Sequence, residues 1–124
     1  MKAGEDSLTS FFDVATGDLL APRLMLEEVS NTLLGGVRRG RWSGVAADRS
    51  HALLRRLPLR IADEPTDFVR AWDLARHYDN HPFYDLIYVA LAERKRMSFV
   101  TLDLKLKRRL FDLDFVIEPH ELKA

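Results

Sequence analysis

His81-Pro82-Phe83-Tyr84-Asp85-Leu86-Ile87-Tyr88-Val89-Ala90-Leu91-Ala92-Glu93 is the segment on which the reading of this 124-residue chain turns. It predicts a helix that starts near Pro82 and runs to Arg94, with a carboxylate, Asp85, in its first turn. The positive end of the helix dipole favours a negative charge there by roughly 0.3–1 kcal/mol. Downstream, Phe99 to Thr101 reads as a buried strand with Asp103 just past its end. A short basic helix and the apolar strand Phe115 to Ile117 follow. Upstream, a helix is expected from about Pro65 to His77, with Phe68, Trp72 and Ala75 on one face, and a strand over Leu59 to Ala62 before it.

The pattern continues towards the start of the chain. Ser43 caps a helix carrying Ala46, Leu53, Leu54 and Leu57, which Pro58 ends. A longer helix spans about Pro22 to Arg39. Proline suits its first turn because the missing N–H would be unpaired there anyway. Leu26, Val29, Leu33 and Val37 form its apolar stripe, and Gly40 is a natural stop. Leu19 to Ala21 is a brief strand. Leu8, Phe11, Phe12 and Ala15 lie at helical spacing, so a short helix is expected over Ser7 to Ala15, capped by Asp6 or Ser7. Strands alternating with helices argue for an α/β fold, a parallel sheet covered by helices, in one domain over residues 1–124.

Composition narrows the setting. Nineteen Lys and Arg balance nineteen Asp and Glu, so nucleic-acid binding has to come from local charge. That charge is clustered: Arg38, Arg39 and Arg41; Arg94, Lys95 and Arg96; Lys105, Lys107, Arg108 and Arg109. The absence of cysteine excludes disulfides and thiolate metal sites, and fits a cytoplasmic setting. Met1 to Ser10 lack the basic start and apolar run of a signal peptide. No apolar stretch approaches the roughly 20 residues of a membrane helix.

Three carboxylates stand out: Glu28, Asp85 and Asp103. Glu28 lies off the main apolar stripe of its helix, with Asn31 and Thr32 one turn on. Asp103 follows a strand, and open α/β sheets bind ligands just beyond the carboxyl ends of strands. All three can therefore reach one rim of the sheet. Carboxylates held together repel, and one would take up a proton unless a cation intervened. A set of acids without Cys or His suits Mg²⁺ or Mn²⁺ rather than zinc. The same residues also suit plainer roles: Glu28 beside Glu27 as helix surface, Asp85 as a first-turn charge, Asp103 as a helix cap.

The run Ala21-Pro22-Arg23-Leu24-Met25-Leu26-Glu27-Glu28-Val29-Ser30-Asn31-Thr32-Leu33 resembles the second-helix motif of PIN-domain toxins of the VapC type. In that family an Ala-Pro pair precedes a helix bearing a metal-site Glu and then an Asn. His81 to Glu93 resembles the segment bearing the family's third acid, and Phe99 to Leu106 the segment bearing the fourth. The three motifs occur in the family's order and span nearly the whole chain.

This resemblance implies a three-layer α/β/α fold with a short parallel sheet. It implies a Mg²⁺-dependent (or Mn²⁺-dependent) endoribonuclease, the toxin of a type II toxin–antitoxin pair. Glu28, Asp85 and Asp103 would hold the metal and its water, with Asn31 and Thr101 orienting water, ligand or substrate. Arg38, Arg39, Lys105, Arg108 and Arg109 are the candidates for RNA phosphates, though each also reads as a solvated helix end. The implied partners are an RNA substrate, a cognate antitoxin and a second copy of the chain.

The start of the chain departs from the family. Members begin with an apolar strand that ends in the first catalytic Asp. Here Glu5 to Gly17 instead matches the helix that normally follows. Neither Asp6 nor Asp13 occupies the strand-end position, so the central first strand and its Asp are read as missing. The expected explanation is a natural chain that starts further upstream. The alternatives are direct pairing of the two flanking strands, or a degenerate gene.

Other signals are weaker. His77 and His81 are four apart, a spacing that can bind zinc on a helix, but Pro82 interrupts and no HExxH pattern is present. His81 reads as a cap. Trp42 and Trp72 can stack on bases, yet Trp72 has core spacing and Trp42 follows a helix end. Tyr84 and Tyr88 read as packing residues. A rival function is a non-catalytic remnant that binds an antitoxin or dimerises. A phospho-acceptor receiver domain is a second rival, but its adjacent N-terminal acids are not found.

Overall fold

The computed structural model describes residues 11–13 and 18–122. In chain order the elements are β1 (Phe11–Asp13), β2 (Asp18–Ala21), α1 (Leu24–Arg38), α2 (Gly44–Arg56), β3 (Leu59–Ile61), α3 (Pro65–His77), α4 (Phe83–Lys95), β4 (Phe99–Val100), α5 (Leu104–Arg109) and β5 (Val116–Ile117). A 3₁₀ turn, Pro119–Glu121, follows. From β2 onward the elements fall where the sequence places them, within about two residues.

Two parallel pairs form the sheet region. β2 pairs with β3, Leu20 opposite Arg60, and β4 pairs with β5, Phe99 opposite Val116. The β2–β3 ladder gains a further bond from Ala62 N–H to Ala21 O, and Thr101 N–H continues the second ladder to Ile117 O. The helix expected over Ser7–Ala15 is not what forms at Phe11–Asp13. That stretch is a strand, antiparallel to β2, with Phe12 opposite Leu19. The rest of that expectation, including a cap at Asp6 or Ser7, lies outside the described residues. β1 also lies against β4, so the two flanking strands do not pair directly. An open edge of β2 would leave backbone groups unpaired. That demand overrides a helical spacing only two turns long, since short helices are marginal without tertiary support.

α4 is enclosed on nearly every side: Leu86, Tyr88, Val89, Ala90, Leu91 and Ala92 are buried. α3 packs on it most extensively, presenting Ala71, Leu74 and Ala75 to the core. Phe68 and Trp72, expected inside, are 65% and 60% exposed. Helix α3 carries two apolar stripes, and the small-residue one faces inward because it lets the two helices approach closely. A clasp fixes this arrangement: the Arg94 guanidinium donates to both oxygens of buried Asp67 (2.7 and 3.0 Å) and to Ala62 O. Asp67 and Glu64 form a capping box at the start of α3.

The α1–α2 corner is built on Trp42. Its indole N–H donates to Leu33 O (2.9 Å), and its six-membered ring lies against Gly36. Trp42 thus packs back on α1, as a structural residue. Ser43 caps α2 as expected, its hydroxyl accepting from Ala46 N–H at 3.0 Å.

A Cβ at Gly36 would sit 1.9 Å from Trp42 Cζ2, whereas one at Gly44 meets nothing within 4 Å. Gly36→Ala is therefore expected to destabilise the protein by about 1–3 kcal/mol, through forced displacement of the ring. Helix propensity alone would favour that change by about 1 kcal/mol. Gly44→Ala should be neutral or mildly stabilising. Urea unfolding of both variants against the parent checks the sign of each.

Candidate metal centre

Helices α1 and α4 bring Glu28 and Asp85 together. Glu28 lies in the second turn of α1 and is only 7% exposed; Asp85, in the first turn of α4, is 5% exposed. The two acids are close enough that the Asp85 charge disfavours ionisation of Glu28. Burial is the larger cause of the raised Glu28 pKa, and a hydrogen bond from Tyr88 opposes it. Tyr88 is fully buried, and its hydroxyl donates to Glu28 Oε1. Burial first, and then the Glu28 carboxylate, push the Tyr88 pKa far above its usual value. It therefore acts as a permanent donor. His81 Nε2 lies 2.8 Å from Asp85 Oδ2.

Asp103 stands apart. Its Oδ1 accepts from Lys105 N–H (3.0 Å) and Leu106 N–H (3.1 Å), which makes it the N-cap of α5. Thr101 is fully buried, and its hydroxyl accepts from Asp103 N–H at 3.0 Å, fixing the turn that presents Asp103. Glu28, Asp85 and Asp103 do not form a trio with ligand atoms within 4.8 Å of one another. Among the described residues the trio that does is Glu118, which is half-buried, with His120 and Glu121, which are exposed. Lys107 already bonds Glu118 and Glu121 there.

The other candidates separate into two places. Lys105, Arg108 and Arg109 line a depression of about 590 Å³ with Asn80, His81, Pro82 and Asp103. This is a basic wall beside the fourth-acid position, and His81 joins it to the buried pair. Arg109 also donates to Tyr78 O at 3.3 Å. Arg38 and Arg39 lie at the far end of α1. Arg38 is ten residues beyond Glu28, about 15 Å along the axis, and neither arginine lines that depression. Asn31 is exposed on α1. The zinc alternative at His77 and His81 does not form: His81 is engaged by Asp85, and His77 packs its ring edge on Tyr78 at 4.8 Å.

Two roles were not read from the sequence. His81 is a partner of Asp85 rather than a helix cap, and the His-x-x-x-Asp spacing at the start of a helix was the available signal. Tyr88 is more than packing, since its hydroxyl reaches across to α1. Its position three residues after Asp85 places both on one face, but nothing local to α4 reveals that Glu28 lies opposite.

Asp13 closes β1 opposite Asp18, the first residue of β2. By backbone register this is the rim opposite the carboxyl ends of β2 and β3.

The described residues fit a divalent cation in one respect. Glu28 is buried near the Asp85 charge, which raises its cost of ionisation, and a cation between the two would relieve that; carboxylate oxygens are the hard donors that Mg²⁺ prefers. Residues 4–111 match the model of the PIN domain, and the chain belongs to the PIN domain family, whose members are generally metal-dependent nucleases. No curated protein and no solved structure matches it. Among the described residues no helix is long and apolar enough to cross a membrane.

The raised Glu28 pKa sets a pH dependence. In the folded state Glu28 holds its proton more tightly than in the unfolded chain, where the ordinary value is 4.5. Stability from this group is thus fully present below that value and is lost as pH rises through the folded pKa. Metal-free protein is expected to melt at progressively lower temperature as pH rises through this window, and Glu28→Gln to flatten the difference. Melting curves of the two proteins across that range test it.

Proposed function

We propose that this PIN domain is a Mg²⁺- or Mn²⁺-dependent endoribonuclease, the toxin of a type II toxin–antitoxin pair in the cytoplasm. The observation that carries the reading is the buried pairing of Glu28 with Asp85 beside a basic depression that contains Asp103. The reading takes Glu28, Asp85 and Asp103 as the metal-site and catalytic carboxylates. A bound ion there would supply an activated water and steady the charge on the phosphate. Asp103 would approach that centre from the cap of α5, with Thr101 holding its turn and Asn31 reaching the same region from α1. Lys105, Arg108 and Arg109 would hold RNA phosphates, which position the strand without reading its sequence. Arg38 and Arg39 would extend that contact along α1. The partners in this reading are RNA, a cognate antitoxin and a second copy of the chain.

A second reading is a non-catalytic PIN remnant that binds an antitoxin or dimerises. Two observations favour it. Asp103 is engaged as a helix cap, and among the described residues Glu28, Asp85 and Asp103 do not bring their ligand atoms within 4.8 Å of one another. The outward stripe of Phe68, Val69 and Trp72 supplies an apolar surface of the kind that marks interaction sites.

RNA cleavage in Mg²⁺ or Mn²⁺ separates the two. The nuclease is expected to cut, Asp85→Asn to lose at least 100-fold of the rate (about 2.7 kcal/mol of barrier), and Mn²⁺ to raise the melting temperature of the parent but not of Asp85→Asn. Absence of cleavage, with melting insensitive to metal but raised by a protein partner, would establish the second reading. In the nuclease, Lys105→Ala and Arg108→Ala should each weaken RNA binding and lower its salt dependence by about one counterion. Fluorescence anisotropy over a salt series reads both effects.

A further inference from the structure

Tyr88 and His81 lie outside the proposed ligand set yet touch the buried carboxylates, Tyr88 from within α4 and His81 from just ahead of it. Tyr88 bonds Glu28 from across the helix interface, and His81 bonds Asp85 from one turn ahead. We propose that Tyr88 and His81 are positioning residues, Tyr88 holding Glu28 and His81 holding Asp85 in the relative orientation that a divalent cation needs. This rests on the metal-centre reading above.

Glu28 and Asp85 lie on different helices, so backbone geometry alone does not fix one carboxylate against the other. Tyr88 supplies that link. It follows Asp85 by three residues on the same face of α4, so one helix carries a proposed ligand and the anchor of the second. Its ring has no freedom to wander: it is fully buried and stacked on Phe99 of β4, with centroids 6.1 Å apart. A phenylalanine would fill the same space without bringing a hydroxyl that is costly to bury unpaired. The hydroxyl therefore adds direction, not volume.

His81 is placed differently. It is half-buried, lies ahead of the helix, and its ring both contacts Asp85 and lines the basic depression. Its bond to Oδ2 fixes the plane of the Asp85 carboxylate, and the same imidazole lines the depression. Outer partners of this kind tune a metal site through its ligands, and their loss costs about 10–100-fold in metal affinity or activity.

The test uses the full chain with Mn²⁺ alone, following the rise in melting temperature against metal concentration. Tyr88→Phe and His81→Gln should keep the parent's circular dichroism, yet need about 10–100-fold more Mn²⁺ for the same rise. Tyr88→Phe should add nothing in a Glu28→Gln background, because it acts through that carboxylate. Cleavage by Tyr88→Phe should recover as Mn²⁺ is raised, which a general loosening of the core would not produce. Parent-like Mn²⁺ dependence in both variants, or an undiminished Tyr88→Phe effect on top of Glu28→Gln, overturns the proposal while leaving the metal centre intact. A parent protein that ignores Mn²⁺ overturns both together. Should Tyr88→Phe fail to fold, His81→Gln decides, being at a half-buried position outside the helix.

Discussion

The burial of α4 is the constraint on which the rest of the molecule depends. A helix with Leu86, Tyr88, Val89, Ala90, Leu91 and Ala92 all removed from water cannot lie on a surface. It has to be enclosed, and each neighbour is placed by that need. α3 turns its small-residue stripe inward to come close, and β4 follows α4 so that Phe99 stacks on Tyr88. The Arg94–Asp67 clasp then fixes the pair at the end away from Asp85. Enclosure also removes the first turn of α4 from water. It converts an ordinary first-turn acid into a buried one, 5% exposed, that requires a partner.

Two buried acids in one place are a destabilising choice for a fold that needs only packing. Replacing them with apolar residues would remove a desolvation cost that hydrogen bonds only partly offset. The molecule instead supplies each with a donor-bearing neighbour, Tyr88 for Glu28 and His81 for Asp85. Such an expense is common where a site serves chemistry rather than stability. The Arg94–Asp67 pair is the useful contrast. There a buried carboxylate is matched by a guanidinium with two good bonds, and the result is a structural fastening. Glu28 has a neutral donor and a like charge nearby, which leaves a demand for positive charge that a cation can meet.

Much of this was legible in the sequence, for identifiable reasons. Proline and glycine punctuation at Pro58, Pro65 and Pro82 and at Gly40 bounded the helices, because those residues act locally. Three of the acids could be singled out because α1, α4 and the end of β4 each had a clear local reading. What depended on neighbours was not legible. Phe68 and Trp72 look like core on a helical wheel, and only the close approach of α3 to α4 selects Ala71 and Ala75 instead. Phe11–Asp13 has helical spacing, and only the open edge of β2 makes it a strand. Tyr88 looks like packing until α1 is laid across it.

Asp103 shows how far local reading extends. Its alternative role as a helix cap and its role as the fourth acid were both open on the sequence. The structure shows the cap in place, with Thr101 bracing the turn from below. The two roles are not exclusive. A carboxylate has two oxygens, and the cap bonds to Lys105 and Leu106 both fall on Oδ1. Those bonds hold Asp103 at the lip of the depression shared with His81, Lys105, Arg108 and Arg109. The helix that Asp103 caps thereby presents its basic residues to the same depression. The cap therefore couples the placement of the acid to that of the cations beside it. A phosphate drawn to that wall would come to rest next to the carboxylate that the same short helix orients.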